Sequence, residues 1–361
     1  MIHSHRFLVC VLDWGLGHAS RSIPIIQALL DRAQTVLIAG SGDSLKLLQK
    51  EFPALASFSL PGYAPKYPKR GSMVLKMAMQ LPKFIRTINA EHKLTERLCI
   101  EHKIDYIISD NRYGCWSSST KCIFITHQSN ILMPRRFGWL ARVVRAVNER
   151  YINRFTECWI PDVPEENNIT GVLNAFAHTQ LPENIHFIGS LSRFKRSDET
   201  TLDIDVLVIC SGPEPQRTIF EQILARQLMS LSLTYYLVRG VIRQEQPIRV
   251  GHQGVIIDYL TTTKLQDLIS RARIVIARSG YSTVMDMMTM RKKVIFVPTP
   301  GQTEQEHLAT VLHNKGKALR VEQKDFDLNK ALRIAEKFSG FDDTHPGDYL
   351  AVEIDRLVKS R

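Results

Sequence analysis

The stretch from Ile274 to Val321 constrains the fold of this chain more than any other, because it alternates two short apolar runs with two helical patterns. The first run, Ile274–Ala277, is rich in β-branched residues and is followed by the polar turn Arg278–Gly280. The second run is Val294–Val297. Short apolar runs bounded by turn signals are typical of buried parallel strands. The stretch therefore predicts two strand–turn–helix units of a parallel α/β sheet.

The Arg278–Gly280 turn favours an anionic ligand. A strand that passes through such a turn into a helix presents free backbone N–H groups and roughly half a positive charge at the helix start. We therefore expect a diphosphate at this turn. Asp286 lies two helical turns further along the chain, where we expect its carboxylate to reach sugar hydroxyl groups.

A second strand–turn–helix pattern lies at the start of the chain. The apolar run Phe7–Leu12 is followed by a glycine-rich loop that contains His18. Ser20 stands where a dinucleotide-binding turn has its third glycine, which disfavours a dinucleotide cofactor. A neutral imidazole, with a pKa near ~6.5, can accept a proton from a hydroxyl group. His18 is thus a candidate general base, and a histidine that only orders the loop is the alternative.

Two more polar residues follow predicted strand ends in the first half. Ile104–Ser109 ends at Asp110, and Ile123–Thr126 ends at His127. In a parallel sheet both residues lie at the same edge as His18. Asp110 is then placed to accept the second ring N–H of His18 and to fix its tautomer, as the third member of a triad does. His127 is a competing partner or base, a loop cap is the alternative for Asp110, and the choice of base stays open.

These motifs together resemble family 28 of the GT-B glycosyltransferases, the family of the peptidoglycan N-acetylglucosaminyltransferase. The family pattern is Arg-Ser-Gly, a Thr-Val pair, an acidic residue, Val-Pro after the next strand, and a Gln-rich helix start. This chain supplies Arg278-Ser279-Gly280, Thr283-Val284, Asp286, Val297-Pro298 and Gln305. It departs at Asp286, which is usually Glu, and at Gln305-Glu306, which is usually Gln-Gln. Both departures touch the sugar end of the site.

The resemblance implies a fold of two Rossmann-like, doubly wound α/β domains that face each other across a cleft. It implies an acceptor-side domain at residues 1–180, a crossing at 181–203, a donor-binding domain at 204–340, and a helix at 341–361 that packs back on the first domain. It also implies an inverting transfer, in which a base at His18 deprotonates an acceptor hydroxyl group and UDP departs. Neither a metal nor another cofactor is implied, because helix starts, Ser-Gly loops and arginines stabilise the leaving diphosphate.

The resemblance also assigns residues to each half of the site. The catalytic pair is His18 and Asp110. The acceptor-side residues are Gly15, Gly17, Arg21, Arg112 and His127. The donor-binding residues are Ser211, Gly212, Arg217, Asp258, Tyr259, Arg278, Ser279, Gly280, Thr283, Asp286, Gln302 and Gln305. Ser211 and Gly212 form a second Ser-Gly turn after a strand, and a plain strand–helix turn is the alternative for it.

Composition limits the partners of the protein. The 361 residues are 44% hydrophobic, which suits two globular domains. The sequence contains neither an apolar run near the roughly 20 residues of a membrane span nor a secretory signal. The six scattered cysteines indicate neither a zinc site nor a disulfide framework, so we expect a cytoplasmic protein. The net charge of +11 favours anionic partners, and no nucleic acid is expected because no module that binds one is present.

Two segments of the first half predict contact with an anionic membrane surface. Ser72–Arg97 is helical, interrupted by Pro82, and mixes apolar with basic residues. Arg135–Arg154 carries six arginines and one glutamate beside an apolar stripe, with Phe137 and Trp139 at its start. Such segments suit the inner face of the membrane and a lipid-linked or glycan acceptor. Ordinary core helices with solvated basic faces are the alternative.

Two rival functions fit the same pattern. A UDP-sugar 2-epimerase of the same architecture binds the donor but needs no acceptor, and the extended basic and apolar surface argues against it. A non-catalytic protein that binds a nucleotide sugar or a nucleic acid would have degenerate halves. His18, Asp110 and the intact Ser-Gly turns argue against that alternative. We therefore expect transfer of a hexose or an N-acetylhexosamine from a nucleotide sugar, in particular a UDP-sugar, to a hydroxyl group.

Overall fold

The structure is a computed structural model that describes residues 4–65, 73–127, 141–164, 184–195, 201–241, 247–250, 253–341 and 348–359. These residues divide into two compact units. The first unit holds the described residues up to Leu191, except Met73, together with residues 348–359. The second unit holds Met73 and the described residues from Ser192 to Phe341.

The first unit is built on a parallel sheet. Its strands are β1 Arg6–Val11, β2 Thr35–Gly40, β3 Ser57–Ser59, β4 Tyr106–Asp110, β5 Lys121–Ile125, β6 Glu157–Ile160 and β7 Ile185–Phe187. Their order is β3-β2-β1-β4-β5-β6-β7, and each neighbouring pair is parallel. The direction of winding reverses between β1 and β4. Doubly wound sheets bind ligands beyond the carboxyl ends of the strands at such a reversal.

Helices cover the first sheet. They are α1 Gly17–Leu30, α2 Gly42–Glu51, α3 Met73–Ala78, α4 Leu81–His102 and α5 Ala141–Ile152. The segment predicted as helical over Ser72–Arg97, interrupted by Pro82, is two helices, and Pro82 lies in the first turn of α4. Proline has no N–H to donate, so the first turn of a helix accommodates it without the loss of a helical hydrogen bond. Phe137 and Trp139 lie outside the described residues.

The second unit repeats the winding of the first. Its strands are β8 Ile204–Ile209, β9 Tyr235–Val238, β10 Ile248–Val250, β11 Gly254–Ile257, β12 Ala272–Ala277, β13 Lys293–Phe296 and β14 Leu319–Arg320. Their order is β10-β11-β9-β8-β12-β13-β14, parallel except for the edge pair of β10 and β11. The winding reverses between β8 and β12. The helices of this unit are α6 Gln216–Leu228, α7 Thr262–Arg271, α8 Tyr281–Thr289, α9 Thr303–Asn314 and α10 Leu328–Ala335.

The two predicted strands of the Ile274–Val321 stretch are the inner strands β12 and β13. Ile274, Val275 and Ile276 are each at most 1% exposed, so both faces of β12 are buried. Burying such a side chain contributes about 1.5–3 kcal/mol, which is why a continuous β-branched run suits a strand covered on both sides. The prediction of a doubly wound α/β fold is confirmed.

The last helix, α11 Tyr349–Lys359, lies in the first unit. Arg356 donates to Glu157 at the start of β6, with Nη1 2.9 Å from Oε1. The hydroxyl group of Tyr106 in β4 donates to the backbone oxygen of Leu357 at 3.2 Å. Arg32 forms an ion pair with Asp355. The chain therefore leaves the first unit, forms the second, and returns.

Candidate active site

The glycine-rich loop and Asp110 meet at the reversal of the first sheet. β1 and β4 pair in register so that Val11 lies opposite Asp110, the last residue of β4. The chain then turns through Gly15, whose φ of 90° lies in the left-handed region that glycine adopts without strain. Gly17 begins α1, which places His18 in the first turn of that helix. The sheet therefore brings His18 and Asp110 together from positions 92 residues apart.

His18 and Asp110 form a direct hydrogen bond. The ring Nδ1 of His18 lies 2.9 Å from Oδ1 of Asp110, and the two side chains are 14% and 1% exposed. An ionised carboxylate can only accept a hydrogen bond, so Nδ1 carries the hydrogen when it pairs with Asp110. Nη2 of Arg21 also lies 3.0 Å from this Nδ1, but it donates to Oδ1 of Asp110, so the tautomer is assigned from the contact with Asp110. Nε2 of His18 then keeps its lone pair. This is the tautomer that a general base for a hydroxyl group requires.

Arg21 fixes this pair from the next turn of α1. Its Nε donates to Oδ2 of Asp110 at 2.7 Å, and its Nη2 donates to Oδ1 of the same carboxylate. Its Nη1 lies 2.6 Å from Nδ1 of His127. A guanidinium group has only donors, so Nδ1 of His127 is the acceptor and its lone pair is engaged. His18, Arg21, Asp110 and His127 thus form one buried group, which we call the His18 cluster.

Burial and charge set the protonation of the His18 cluster. Burial lowers the pKa of His18, and the opposing charge of Asp110 only partly restores it. Burial also favours the neutral form of Asp110, but Arg21 and His18 together more than offset this and hold the pKa of Asp110 well below its usual value. At neutral pH the imidazole is therefore neutral and the carboxylate is ionised. The neutral His18 ring, with its hydrogen on Nδ1, can accept a proton at Nε2.

Arg112, predicted on the acceptor side, anchors a separate network. Its Nη1 lies 3.3 Å from Oε1 of Glu91, and its Nη2 donates to Oγ of Ser41 and to the backbone oxygen of Pro61 at 2.9 and 3.0 Å. Tyr63 donates to the same glutamate at 2.7 Å. Burial raises the pKa of Glu91 to about 6. The side chain of Arg112 is fully buried and holds α4 to the loops that follow β2 and β3.

In the second unit, two loops meet at the reversal between β8 and β12. Ser211 and Gly212 follow β8, and Arg278, Ser279 and Gly280 follow β12. Gly212 has a φ of 99°, and a Cβ atom there would lie 3.4 Å from Oγ1 of Thr299. Gly280 is the N-cap of α8 and offers no side chain to the amides of the first turn, where Thr283 lies. This helix start is the predicted diphosphate site.

Ser279, Gln302 and Gln305 form one network. The hydroxyl group of Ser279 donates to the backbone oxygen of Gln305 at 2.8 Å, which ties the start of α8 to α9. The side-chain oxygen of Gln305 accepts from the backbone N–H of Thr299 at 2.8 Å, and its amide nitrogen donates to Gln302. The structure therefore brings these three predicted donor-binding residues together around the first turn of α9.

Arg278 and Arg217 are internal anchors rather than open phosphate ligands. Arg278 is 1% exposed and donates to the backbone oxygens of Val297 and Pro298 at 3.0 and 3.1 Å. Its guanidinium group lies over the ring of Phe220, and burial lowers its pKa to about 10. Arg217 lies between two carboxylates, those of Glu214 and Glu221, at 2.5 and 2.7 Å. Carboxylates therefore balance the charge of Arg217, whereas Arg278 donates to neutral oxygens. Because both guanidinium groups are engaged within the unit, backbone N–H groups are the candidate anion-binding groups at these loops.

Asp258 and Tyr259, which the resemblance assigns to donor binding, follow β11. Asp258 accepts from Nη1 of Arg239 at 2.9 Å, so its carboxylate also serves the internal structure. Its backbone oxygen accepts from Val241 at 3.0 Å. Tyr259 is buried. The structure places both residues beyond the strand end, as the sequence predicts.

Asp286 contacts two residues, Ser192 and Arg193, that were not predicted from the sequence. Its Oδ1 accepts from the hydroxyl group of Ser192 at 2.7 Å, and burial raises its pKa to about 6 although Arg193 and Ser192 oppose the shift. Arg193 lies over the ring of Phe194, and its Nε and Nη1 atoms are buried with no hydrogen-bond partner among the described residues. Buried guanidinium N–H groups without a hydrogen-bond partner, next to a carboxyl group whose pKa is raised, are typical of a ligand site. The only sequence signal is the arginine itself, in a segment without strand or helix periodicity.

Neither a metal centre nor a membrane span is found where the structure can be read. Within the described ranges, no group of three or more His, Cys, Asp or Glu side chains could hold a metal ion. No helix in the described part of the chain combines the length and hydrophobicity that crossing a bilayer requires.

Comparison with known proteins agrees with this geometry. Residues 217–339 match the glycosyltransferase family 28 C-terminal domain. An uncharacterized glycosyltransferase of Methanosarcina acetivorans is 22% identical over 324 residues, which cover 86% of this chain and 84% of the relative. The UDP-N-acetylglucosamine–N-acetylmuramyl-(pentapeptide) pyrophosphoryl-undecaprenol N-acetylglucosamine transferase of Histophilus somni is 24% identical over 217 residues, 58% of this chain and 56% of that protein.

A solved structure shows the same architecture over the whole chain. The glycosyltransferase SnogD of Streptomyces nogalater superposes with a TM-score of 0.59 at 14% identity, covering 98% of this chain and all of that one. Two doubly wound units and this similarity define the GT-B fold. The family 28 match of the second unit and the similarity to the glycosyltransferases of Methanosarcina acetivorans and Histophilus somni show that the protein is a glycosyltransferase that resembles family 28.

Proposed function

We propose that the protein transfers a hexose or an N-acetylhexosamine from a UDP-sugar to a hydroxyl group of an acceptor, with inversion at the anomeric carbon. The observation that carries this proposal is the His18–Asp110 hydrogen bond of 2.9 Å, fixed by Arg21. It supplies a neutral imidazole in the tautomer that a base needs. The Histophilus somni relative, named as a UDP-N-acetylglucosamine-using transferase, supports the choice of a UDP-sugar donor.

The proposed reaction assigns one role to each member of the His18 cluster. Nε2 of His18 takes the proton of the acceptor hydroxyl group as its oxygen bonds to the anomeric carbon. The bond between that carbon and the diphosphate oxygen breaks, and UDP leaves with the electron pair. Asp110 stabilises the imidazolium that forms, and Arg21 keeps Asp110 ionised. General base assistance of this kind contributes about 10²–10⁴ in rate.

The donor half of the proposal rests on the start of α8. The amides that follow Gly280, with the positive end of the helix, are the groups we assign to the departing diphosphate. Asp286 lies in the same helix, and we assign it, with its neighbours Ser192 and Arg193, to the donor's sugar and phosphate oxygens. We propose that the reaction needs no metal and no further cofactor, since these groups supply the electrostatic stabilisation.

We propose a lipid-linked or glycan acceptor and peripheral contact with the inner, anionic face of the membrane. The start of α4 exposes Leu81 and Ile85 by 54% and 43%, next to the basic residue Lys83. α5 exposes Val143 and carries Arg142 and Arg145. Apolar side chains set among basic ones suit a membrane interface. This assigns the protein to the cytoplasm, at the membrane.

Calorimetric titration with UDP, ADP, GDP and TDP, first without metal and then with magnesium, tests the donor assignment. We expect selective binding of UDP without metal, and a loss of at least tenfold in affinity in Asp286→Ala. Ser192→Ala, which removes the partner but keeps the carboxylate, should lose less. Absence of binding to all four nucleotides would refute the transferase proposal. Conversion of a UDP-sugar to its C2 epimer, without any acceptor, would identify the epimerase instead.

A further inference from the structure

A threonine hydroxyl group in the second unit is buried and has no partner among the described residues. Thr299 lies in the loop between β13 and α9 and is 1% exposed. Its Oγ1 atom is buried and forms no hydrogen bond within the described part of the chain. An unpaired buried hydroxyl group destabilises a fold, so packing alone does not account for it. The function proposed above assigns no role to Thr299.

The backbone of Thr299 is held on both sides. Its N–H donates to Oε1 of Gln305 at 2.8 Å, and its backbone oxygen accepts from the N–H of Gln302 at 3.0 Å. The preceding residue is held as well, since Nη1 of Arg278 donates to the backbone oxygen of Pro298 at 3.1 Å. These contacts fix the position of the hydroxyl group without using it.

The hydroxyl group faces the turn that follows β8. A Cβ atom placed on Gly212 would lie 3.4 Å from Oγ1 of Thr299. Apart from the two chain neighbours of that glycine, no other atom of the described residues lies within 4 Å of the same position. By contrast, a Cβ atom on Gly240, after β9, would lie 2.3 Å from the backbone oxygen of Cys210. The described residues therefore leave a space beside Gly212, and the Thr299 hydroxyl group borders it.

The start of α8 has a similar arrangement. A Cβ atom on Gly280 would have one neighbour within 4 Å outside its own turn among the described residues, which is Nε2 of Gln305 at 3.9 Å. Gln305 is also the residue that accepts from the N–H of Thr299. Each glycine turn thus leaves a space next to a polar group of the segment from Thr299 to Gln305. This arrangement suits a ligand with more than one polar oxygen.

The charge at these loops favours an anion. Arg278 joins the loops after β8 and β13, because it donates to the backbone oxygens of Gln216 and Pro298 at 2.9 and 3.1 Å. It also donates to the neutral side chain of Gln323, and it pairs with no carboxylate among the described residues. Burial lowers its pKa to about 10, so it stays charged at neutral pH. A buried cation without a counter-charge is unfavourable, and an anion bound at these loops would supply one.

We infer that the hydroxyl group of Thr299 donates a hydrogen bond to an oxygen of the donor's diphosphate, which enters the space beside Gly212. This inference rests on the function proposed above and adds a residue to its donor site. The backbone oxygens of Pro298 and Thr299 already accept hydrogen bonds, so the hydroxyl hydrogen is the group left for a ligand. A hydrogen bond from a hydroxyl group to an ionised oxygen is stronger than one between neutral groups.

Calorimetric titration with UDP, uridine and inorganic pyrophosphate tests this inference. Thr299→Val keeps the shape of the side chain and removes the hydroxyl group, whereas Thr299→Ser keeps the hydroxyl group and removes the methyl group. Thr310→Val is the matched control, since the Thr310 hydroxyl group lies in the same unit and donates to the backbone oxygen of Glu306 at 2.6 Å.

We expect Thr299→Val to weaken the binding of UDP and of pyrophosphate by about tenfold or more, because the lost bond is to a charged group. Its affinity for uridine, which has no phosphate, should equal that of the wild type. Thr299→Ser and Thr310→Val should bind UDP within about threefold of the wild type, because neither removes the proposed contact.

Thermal unfolding without ligand separates binding from folding. Thr299→Val should have a Tm at least equal to that of the wild type, because it removes a buried hydroxyl group that lacks a partner. Thr299→Ser should lower the Tm through the loss of a buried methyl group, and Thr310→Val through the loss of a hydrogen bond. A lower Tm in Thr299→Val would show that the hydroxyl group serves the fold and would overturn the inference.

The remaining outcomes distinguish this inference from the proposed function. Equal affinity of the wild type and Thr299→Val for UDP would overturn the inference and leave the proposed donor intact. Equal weakening of UDP and uridine would place the contact at the nucleoside and overturn it too. Pyrophosphate binding that is weakened in Thr299→Val, without any binding of UDP, would keep Thr299 as a phosphate ligand and refute the proposed donor. Absence of binding to both UDP and pyrophosphate would overturn both.

Discussion

The chemistry of His18 depends on two neighbours and on burial. Asp110 sets the tautomer, because it accepts the hydrogen on Nδ1. Arg21 keeps Asp110 ionised and engages Nδ1 of His127. Burial lowers the pKa of His18, so that the ring is unprotonated when the acceptor arrives.

Replacing His18 by alanine should lower kcat by about 10²–10⁴ and leave the affinity for UDP unchanged, because the imidazole is assigned to proton transfer and not to donor binding. Steady-state rates and calorimetric UDP affinity measure the two effects. His102→Ala, which alters a partly exposed histidine at the end of α4, is the control and should keep full activity. Full turnover by His18→Ala would move the base to another residue.

The pH profile gives a second test of the same residue. Because burial lowers the pKa of His18, kcat/KM should stay high as the pH falls through ~6.5 and decline only at more acidic pH. The negative charge of Asp110 raises the pKa of His18, so Asp110→Asn should move this decline to still lower pH while also lowering the rate. A decline that moves to higher pH in Asp110→Asn would contradict this assignment.

The lowered pKa values of His18 and Asp110 also predict how the stability of the fold changes with pH. Both groups have a folded-state pKa below the unfolded value, so their contribution is complete at neutral pH. It is lost as the pH falls below ~6.5 for His18 and below ~3.9 for Asp110. Asp110→Asn should also remove the carboxylate that balances the buried Arg21 charge, at a cost of about 3–5 kcal/mol. Denaturant unfolding at several pH values, with the wild type as reference, measures both effects.

The sequence predicted the site residues that directly follow a strand. It did not predict the site residues that lie elsewhere. His18, Asp110 and His127 were expected at one edge of the sheet, and the structure joins them through Arg21. The direction of a long side chain was not predictable. An arginine beside a Ser-Gly turn has the same sequence signature whether it faces a ligand or, as Arg278 does, the carbonyl groups of its own fold.

At the scale of elements, the start of α8 combines an open helix terminus with a residue that has no side chain. Gly280 has an ordinary φ of −67°, and the nearest atom to a Cβ placed there would be Nε2 of Gln305 at 3.9 Å. The glycine is therefore not required by the backbone or by packing. It leaves room above the first-turn amides, where the diphosphate is proposed.

Gly280→Ala should consequently weaken UDP binding by about tenfold or more while leaving the Tm within about 1 °C of the wild type, since the new methyl group meets the ligand and not the protein. Titration calorimetry and thermal unfolding give the two values. Gly212→Ala is the contrasting variant. Its φ of 99° and the 3.4 Å approach to Thr299 should lower the Tm. Unchanged UDP affinity in Gly280→Ala would place the diphosphate elsewhere.

The elements themselves were predictable where they are long or buried on both faces. β12 and β13 follow from β-branched runs, and the break before α4 follows from Pro82. β10 has three residues, of which Ile248 is 57% exposed, and pairs antiparallel at the edge. So short and exposed a strand has no hydrophobic period, and its existence depends on the neighbour that it pairs with.

At the scale of the whole molecule, the net charge of +11 is distributed over more than one surface. α5 carries Arg142 and Arg145 on its exposed side, and a pocket lined by Arg273, Lys292 and Lys293 carries another group of cations. Only their positions in the fold distinguish these two groups of basic residues, because a lysine or an arginine contributes the same charge to each. Composition therefore predicted anionic partners in general. The fold was needed to show which basic residues lie together on one surface.

Neutralising Arg142 and Arg145 to glutamine should reduce partition onto phosphatidylglycerol vesicles by roughly thirtyfold, since each basic residue near an anionic surface contributes about 1 kcal/mol. Flotation of the protein with such vesicles measures the change. Lys330→Gln with Arg333→Gln, on α10 of the second unit, makes the same change in net charge and should have little effect. Equal flotation of all three proteins would remove α5 from the membrane contact.

The return of α11 to the first unit means that the second unit is an insertion in the coding sequence of the first. Ser192 to Phe341 interrupts a unit whose helix α11, with Arg356 bonded to Glu157, is translated after the interruption. During synthesis the second unit is therefore complete before the first has its final helix. A fragment that ends at Phe341 keeps every described strand of both sheets and still lacks the contacts with Tyr106 and Arg32 that close the first unit.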